Sequence, residues 1–203
     1  MRKAFAMSLN GQRETEGISG VIMMRLFTGI PLGADFKNSI VSIYHRFSGF
    51  EGLRFTATEN LHVTLKFFGE AQPEMVDGLK AALDRACGGT KPFFISSAGV
   101  SCFGSEKYAR VIWCNIEKNS GKISELFARI EEESAAAGFK KEERAFTPHI
   151  TIARSKEGVN IKRRLKDIKF DYGAEAGGIC LFSSTLSPQG PKYDIIHRVI
   201  FKE

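Results

Sequence analysis

The spacing of apolar and polar residues changes period several times along this chain, and each change marks an element. Arg25-Leu26-Phe27-Thr28-Gly29-Ile30 is a short apolar run closed by Pro31, which reads as a strand opened by Met23-Met24. Between residues 34 and 47, Phe36, Ile40, Ile43, Tyr44 and Phe47 recur at helical spacing. Residues 53–57 and 61–68 are strand-like, with Gly69 breaking the second. Pro73 followed by Met75, Leu79, Ala82 and Leu83 marks a helix ending at Gly88-Gly89. Residues 93–100 and 110–116 read as strands around a loop at Gly104, and residues 120–137 as a helix with Ile123, Leu126, Phe127 and Ile130 inward and Gly138 at its end. A strand at 146–153, a short basic helix at 161–168 and two closing strands at 179–186 and 193–201 complete the reading, the last two separated by Ser187-Pro188-Gln189-Gly190-Pro191. The order repeats, helix and strands and then helix and strand. It implies an α+β fold of two similar lobes whose antiparallel sheets line a central cleft.

Two of these strands carry the same four-residue pattern. His62-Val63-Thr64-Leu65 and His149-Ile150-Thr151-Ile152 each place a histidine and a threonine two residues apart. Side chains alternate faces along a strand, so His and Thr share one face while Val63 and Leu65, or Ile150 and Ile152, anchor the other. Two such pairs facing each other present two acid/base groups and two hydroxyl donors to one small anion. That is a phosphoester site which needs no metal.

Composition narrows the class. The chain has 203 residues, 43% of them hydrophobic and 17 of them Phe, as expected of one globular domain with a Phe-rich core. No apolar run approaches the roughly 20 residues of a membrane span. Residues 1–23 are small and polar, read as a flexible N-terminal extension, with residues 24–203 as a single bilobal domain. The stretch around Ala4-Phe5-Ala6-Met7 is too short for a signal peptide. Cys87, Cys102, Cys114 and Cys180 are widely spaced without a CxxC, which reads as reduced thiols in a cytoplasmic protein and no zinc site. The net charge of +6 favours a polyanionic partner, with a basic cluster at 162–169 and a charge-mixed one at 140–144.

The two motifs resemble those of the 2H phosphoesterase superfamily, named for its paired His-x-Thr/Ser-x motifs. The flanks resemble the bacterial and archaeal RNA 2′,3′-cyclic phosphodiesterases, also called 2′-5′ RNA ligases. The resemblance is carried by Met24 to Phe27 with Ile30-Pro31, by Glu59 to Glu70, by Arg110-Val111-Ile112-Trp113, by Phe146 to Arg154, and by Ser184, Leu186, Gly190-Pro191 and Tyr193. It departs at residues 1–23 and at Phe68, where an aliphatic residue is frequent.

The resemblance implies hydrolysis of RNA 2′,3′-cyclic phosphate to a 2′-phosphomonoester, with no metal, ATP or other cofactor. It implies His149 as the proton acceptor and His62 as the proton donor, roles that the sequence itself leaves interchangeable. Thr64 and Thr151 would donate hydrogen bonds to the non-bridging oxygens. Lys66 shares parity with His62 and Thr64 and is a candidate to border the phosphate. Arg154 has the wrong parity unless the strand bends after Ala153, but its place at the motif's end makes it a candidate phosphate contact. Tyr193 is a candidate to stack on a base, whereas Phe67 reads as core. His45 and His197 read as surface or core residues. The expected partner is RNA with a cyclic phosphate end, or a nucleotide, with no membrane, no obligate protein partner and a monomeric chain. The alternatives are 2′-5′ RNA ligation, hydrolysis of another cyclic phosphate such as ADP-ribose 1″,2″-cyclic phosphate, or RNA binding without turnover.

Overall fold

The computed structural model describes residues 23–165, 168, 171–188 and 190–203. The expected extension, Met23 apart, lies outside the described residues. The strands are β1 (Met24–Pro31), β2 (Leu53–Phe55), β3 (His62–Ala71), β4 (Phe93–Phe103), β5 (Ala109–Ile116), β6 (His149–Val159), β7 (Asp171–Ala176), β8 (Gly178–Ser187) and β9 (Gly190–Ile200). The helices are α1 (Ala34–Val41), α2 (Val76–Ala86), α3 (Ser120–Ala136) and the single turn α4 (Lys162–Leu165).

One sheet runs through both halves in the order β7-β4-β5-β6-β3-β1-β8-β9, with antiparallel pairing, and β2 pairs with β6 beside this path. The halves β7-β4-β5-β6 and β3-β1-β8-β9 meet at one backbone pair, Val63 opposite Ile150. Beyond that pair β3 leaves the edge of β6, and β2 takes over at Ala153 to Ser155. Val63 and Ile150 are both fully buried, as are Ile152 of β6 and Ile112 of β5. Each such side chain contributes about 1.5–3 kcal/mol by leaving water, so the seam is held by the core more than by its hydrogen bonds.

Two of the helices cross between the halves, while α2, which follows β3, stays on its own half with Asp84 against His197 of β9. α1 follows β1, yet its Phe36 packs on Tyr172 of β7, ring centroids 5.5 Å apart. α3 follows β5, yet its Glu131 pairs with Lys66 of β3 at 2.6 Å. α3 buries Ile123, Leu126 and Ile130 of the expected stripe, while Phe127 is half-buried and stacks on Phe146. The helix stops because Gly138 takes φ +92°, a left-handed turn that lets the amide of Phe139 reach the Ser134 carbonyl at 3.0 Å.

Several boundaries differ from expectation. The helix predicted over 34–47 ends at Val41 and resumes as a 3₁₀ turn at Tyr44–Phe47. The hydroxyls of Ser39 and Ser42 bond back to the carbonyls of Phe36 and Ser39, which weakens the helical ladder there. Hairpin pairing with β5 extends β4 to Phe103, past the Val100 suggested by periodicity. The helix expected over 161–168 is described only at Lys162–Leu165. β7 was not legible, since Asp171-Tyr172-Gly173-Ala174-Glu175-Ala176 has no β-branched residue. It pairs with β4 because Gly173 leaves room for Phe94, whose ring atoms would lie 2.3 Å from a Cβ.

Candidate active site

The two motifs open β3 and β6. Antiparallel register about Val63–Ile150 sets His62 across from Thr151 and Thr64 across from His149. The four side chains therefore surround a local pseudo-twofold point on one face of the sheet. Leu61, Val63, Leu65, Ile150 and Ile152 fill the opposite face, each 3% exposed or less.

The strands then do the same thing twice. β3 carries one unpaired residue between the pairs Gly29–Thr64 and Thr28–Lys66, so Leu65 is a bulge. β6 carries another between Trp113–Thr151 and Ile112–Ala153, so Ile152 is a bulge. Each extra residue inverts the alternation that follows. Leu65 and Lys66 are both buried, as are Ile152 and Ala153.

This corrects the expectation for Lys66. Its ammonium points into the protein, 2.6 Å from the Glu131 carboxylate and 2.8 Å from the Lys140 carbonyl. At 3% exposure Lys66 still lines the cavity beside Thr64 and His149, but its ammonium is spent on Glu131 and Lys140 and is not offered to a phosphate. The same shift brings Phe67, expected in the core, to the histidine face, 58% exposed. It also gives Arg154 the parity that simple alternation denied it. Arg154 is exposed, and its charge acts on His62, His149 and Tyr193.

Both imidazoles are set alike. Nδ1 of His62 lies 2.6 Å from the Asn60 carbonyl, and Nδ1 of His149 lies 2.7 Å from the Thr147 carbonyl. A carbonyl only accepts, so each Nδ1 carries a proton and donates it. In the neutral ring Nε2 then holds the lone pair. The Thr64 hydroxyl donates to Nε2 of His62 at 2.8 Å. Among the described residues, the Thr151 hydroxyl has no such partner.

Aromatic rings box each histidine. Phe27 lies 5.0 Å from the His62 ring, with Tyr193 at 5.7 Å and Phe182 at 5.8 Å. Phe103 and Trp113 flank His149 at 4.8 and 5.7 Å. This packing strips water from the imidazoles. Burial first, with the charges of His149, Lys37 and Arg154 adding to it, pushes His62 down to about 4 against the pull of the Asn60 carbonyl. Burial and Arg154 also lower His149, against the Thr147 carbonyl. Burial holds the Tyr193 phenol above its usual value, so it stays protonated. A cavity of about 420 Å³ opens beside His149 and Thr64, walled by Phe67, Phe103, Phe127 and Arg144.

The structure thus brings His62, Thr64, His149, Thr151, Arg154 and Tyr193 together, and ties the Lys66 ammonium to Glu131 at the cavity wall. Phe27 and Trp113 stood out only as carriers of the resemblance, and Phe182, Phe103 and Lys37 carried no signal beyond their places on strands or helices neighbouring the motifs. His45 bonds the Ser42 carbonyl, and His197 pairs with Asp84 at 2.8 Å, both outside the site. Among the described residues no cluster of His, Cys, Asp or Glu is arranged to hold a metal ion, and no helix is long and apolar enough to cross a membrane.

Known proteins are similar to this chain over most of its length. Residues 49–185 match the description of the 2′-5′ RNA ligase superfamily. The RNA 2′,3′-cyclic phosphodiesterase of Methanocaldococcus jannaschii is 36% identical over 179 residues, 85% of this chain and 98% of that one. Its namesake from Thermotoga maritima is 30% identical over 183 residues, 88% and 96% of the two chains. A crystal structure from Thermus thermophilus superposes with a TM-score of 0.75 at 27% identity, over 88% of this chain and 98% of that one. Escherichia coli LigT, solved with 3′-AMP, shares the fold with a TM-score of 0.75 at 22% identity, over 90% and 100% of the chains. With its paired His-x-Thr-x strands and this span of similarity, the chain belongs to the 2′-5′ RNA ligase superfamily of 2H phosphoesterases.

Proposed function

We propose that this protein hydrolyses the 2′,3′-cyclic phosphate at RNA 3′ ends to a 2′-phosphomonoester. The observation that carries the reading is the pairing of Val63 with Ile150, which turns two histidines and two threonines toward one point, each imidazole with Nδ1 committed and Nε2 available. Water attacks phosphorus opposite the 3′-oxygen. His149 Nε2 takes the water proton, and His62 Nε2–H protonates the 3′-oxygen as its bond to phosphorus breaks. His62 is neutral in the free protein at pH 7, so the bound anion must raise its basicity for it to act as acid. Protonation of Nε2 releases the Thr64 hydroxyl, which then donates to a non-bridging oxygen, as Thr151 does from the other side.

With a 5′-hydroxyl in place of water, the same groups join it to a 2′,3′-cyclic end through a 2′-5′ bond, His149 taking the hydroxyl proton and His62 protonating the departing 3′-oxygen. The reading further has the chain acting as a cytoplasmic monomer, with residues 1–23 dispensable. A variant starting at Met24 that lost activity would refute the last point.

The test is an RNA oligomer ending in a 2′,3′-cyclic phosphate, incubated in EDTA without ATP. The expected product is a 2′-phosphate end. A 3′-phosphate product, or equal turnover by His62→Ala and His149→Ala variants, would refute the mechanism.

A further inference from the structure

The buried ion pair of Lys66 with Glu131 takes no part in the proton transfers at His62 and His149. Taking two charges out of water costs more than their attraction commonly returns, and an apolar pair of similar volume often serves stability as well. What apolar side chains cannot supply is hydrogen bonds. Here each partner makes one, and both go to the same stretch of chain. Lys66 Nζ donates to the Lys140 carbonyl at 2.8 Å, and the Glu142 amide donates to Glu131 Oε2 at 2.9 Å. Lys66 and Glu131 are buried, while Lys140 and Glu142 are exposed.

That stretch has little else to hold it. Residues 140–148 form neither helix nor strand, and among the described residues no backbone–backbone hydrogen bond reaches residues 140–147. Once its amide is fixed, Glu142 folds the next two residues about itself. Its carboxylate accepts the amides of Glu143 and Arg144, both at 3.1 Å, and the Arg144 guanidinium at 3.0 and 2.9 Å. Farther on, Phe146 stacks on Phe127 of α3, ring centroids 4.2 Å apart. The stretch ends at Thr147, whose carbonyl accepts the Nδ1–H of His149 at 2.7 Å. Glu142, Arg144, Phe146 and Thr147 wall the cavity beside His149. Lys66 itself stands two residues beyond Thr64, turned inward by the bulge at Leu65. Side chains thus tie the segment leading into the second motif to the strand of the first.

We propose that Lys66 and Glu131 are positioning residues for His149. Together they hold residues 140–147 to the core, so that the Thr147 carbonyl keeps Nδ1 protonated and aims the Nε2 lone pair at the attacking water. The kinetic part of this inference rests on the phosphodiesterase reading above. A carbonyl displaced by about 1 Å lets the imidazole turn, and misplacement on that scale costs about 10²-fold in rate.

The test pairs Lys66→Met/Glu131→Leu with Lys66→Met/Glu131→Gln. Both remove the two charges together, so the net charge is unchanged and no ion is left buried alone. The first deletes both holds on the segment, and the second keeps an amide oxygen for the Glu142 N–H. On an RNA oligomer with a 2′,3′-cyclic phosphate end, K66M/E131L should lose roughly 10–10²-fold in kcat with KM little changed. K66M/E131Q should recover part of that loss. Wild-type kcat in K66M/E131L, a loss confined to KM, or equal losses in the two variants overturns the proposal.

Two readouts need no turnover. Lys140, Lys141 and Arg144 are exposed sites for trypsin, and cleavage there should be faster in K66M/E131L than in the wild-type protein. Cleavage no faster, or faster at sites throughout the chain, overturns the proposal. Trp113, the chain's single tryptophan, lies 5.7 Å from the His149 ring and reports its protonation. The Thr147 carbonyl favours the charged imidazole, and the opposing charge of Arg154 is untouched by these substitutions. Losing the carbonyl should therefore move the fluorescence midpoint of K66M/E131L to lower pH, and an unmoved midpoint overturns the proposal. No hydrolysis by the wild-type protein would refute the phosphodiesterase reading, and cleavage and midpoint would then decide the positioning role by themselves.

Discussion

Lowering the pH should destabilise this protein through His62 before its carboxylates are reached. In the unfolded chain the imidazole titrates near 6.5, and in the folded protein burial has pushed it down to about 4. Above pH 6.5 both states hold a neutral ring, and stability is insensitive to this group. Between 6.5 and 4 the unfolded chain takes up a proton that the folded one refuses, so stability falls as pH falls. Below 4 both states are protonated and no more is lost. At about 1.4 kcal/mol per pH unit, the gap is worth about 3 kcal/mol, a large part of the 5–15 kcal/mol typical of a domain. The assay is urea unfolding followed by circular dichroism at pH 7.5, 6.5, 5.5, 4.5 and 4.0, for the wild-type protein and His62→Gln. Carboxylates and His149 titrate in both, so the difference between the two curves isolates His62. The wild-type curve should converge on or cross that of the variant by about 3 kcal/mol from pH 6.5 to 4. Curves that stay parallel would show that the aromatic box does not desolvate His62. Inorganic phosphate should reduce the loss, because an anion at Nε2 favours the protonated ring.

Trp113 is the chain's single tryptophan and lies 5.7 Å from the His149 ring. Its fluorescence should fall as His149 gains a proton, with a midpoint below 6.5; a midpoint above 6.5, or one that persists in His149→Gln, would contradict the assignment. Removing one partner of the buried Lys66–Glu131 pair leaves a charge in the core, so Lys66→Ala should cost about 3–5 kcal/mol in urea unfolding, and Lys66→Met with Glu131→Leu should recover most of it. A loss under 1 kcal/mol would mean that Lys66 is not buried as described. Thr64→Ala should lower kcat roughly 10²–10³-fold with little change in KM, and a change confined to KM would deny its transition-state role. A Cβ on Gly29 would stand 2.6 Å from the Val63 carbonyl oxygen and 3.0 Å from the His62 ring. Gly29→Ala should therefore displace His62 and reduce turnover by tenfold or more; unimpaired turnover would show that β1 can yield there.

The chemistry was legible because it is local. A histidine and a threonine two residues apart on a strand must share a face, whatever surrounds them, and the apolar residues between them fix which face that is. Legibility ended at Leu65 and Ile152. A bulge is chosen by the partner strand, here by how β1 and β5 pair, and nothing in Thr-Leu-Lys or Thr-Ile-Ala announces the extra residue. Lys66, Phe67 and Arg154 were misplaced or left in doubt for that one reason. The aromatic boxes failed for another. Phe182 and Tyr193 reach His62 from strands more than a hundred residues away in sequence, a proximity that no local period encodes. β7 was invisible because its pairing depends on the room beside Phe94, not on its own propensity.

The exchange of helices between the halves has a consequence for how such a molecule is inherited. Each half of the sheet is roofed by a helix that the other half supplies, α1 lying on β7 and α3 tied to β3. The half β7-β4-β5-β6 is contiguous in the chain but would lose α1, and the half β3-β1-β8-β9 is split around it and would lose α3. The two motifs look like a duplicated unit, yet neither unit is portable. Recombination, truncation or domain grafting must take the described body whole, and the two histidines travel as one heritable character.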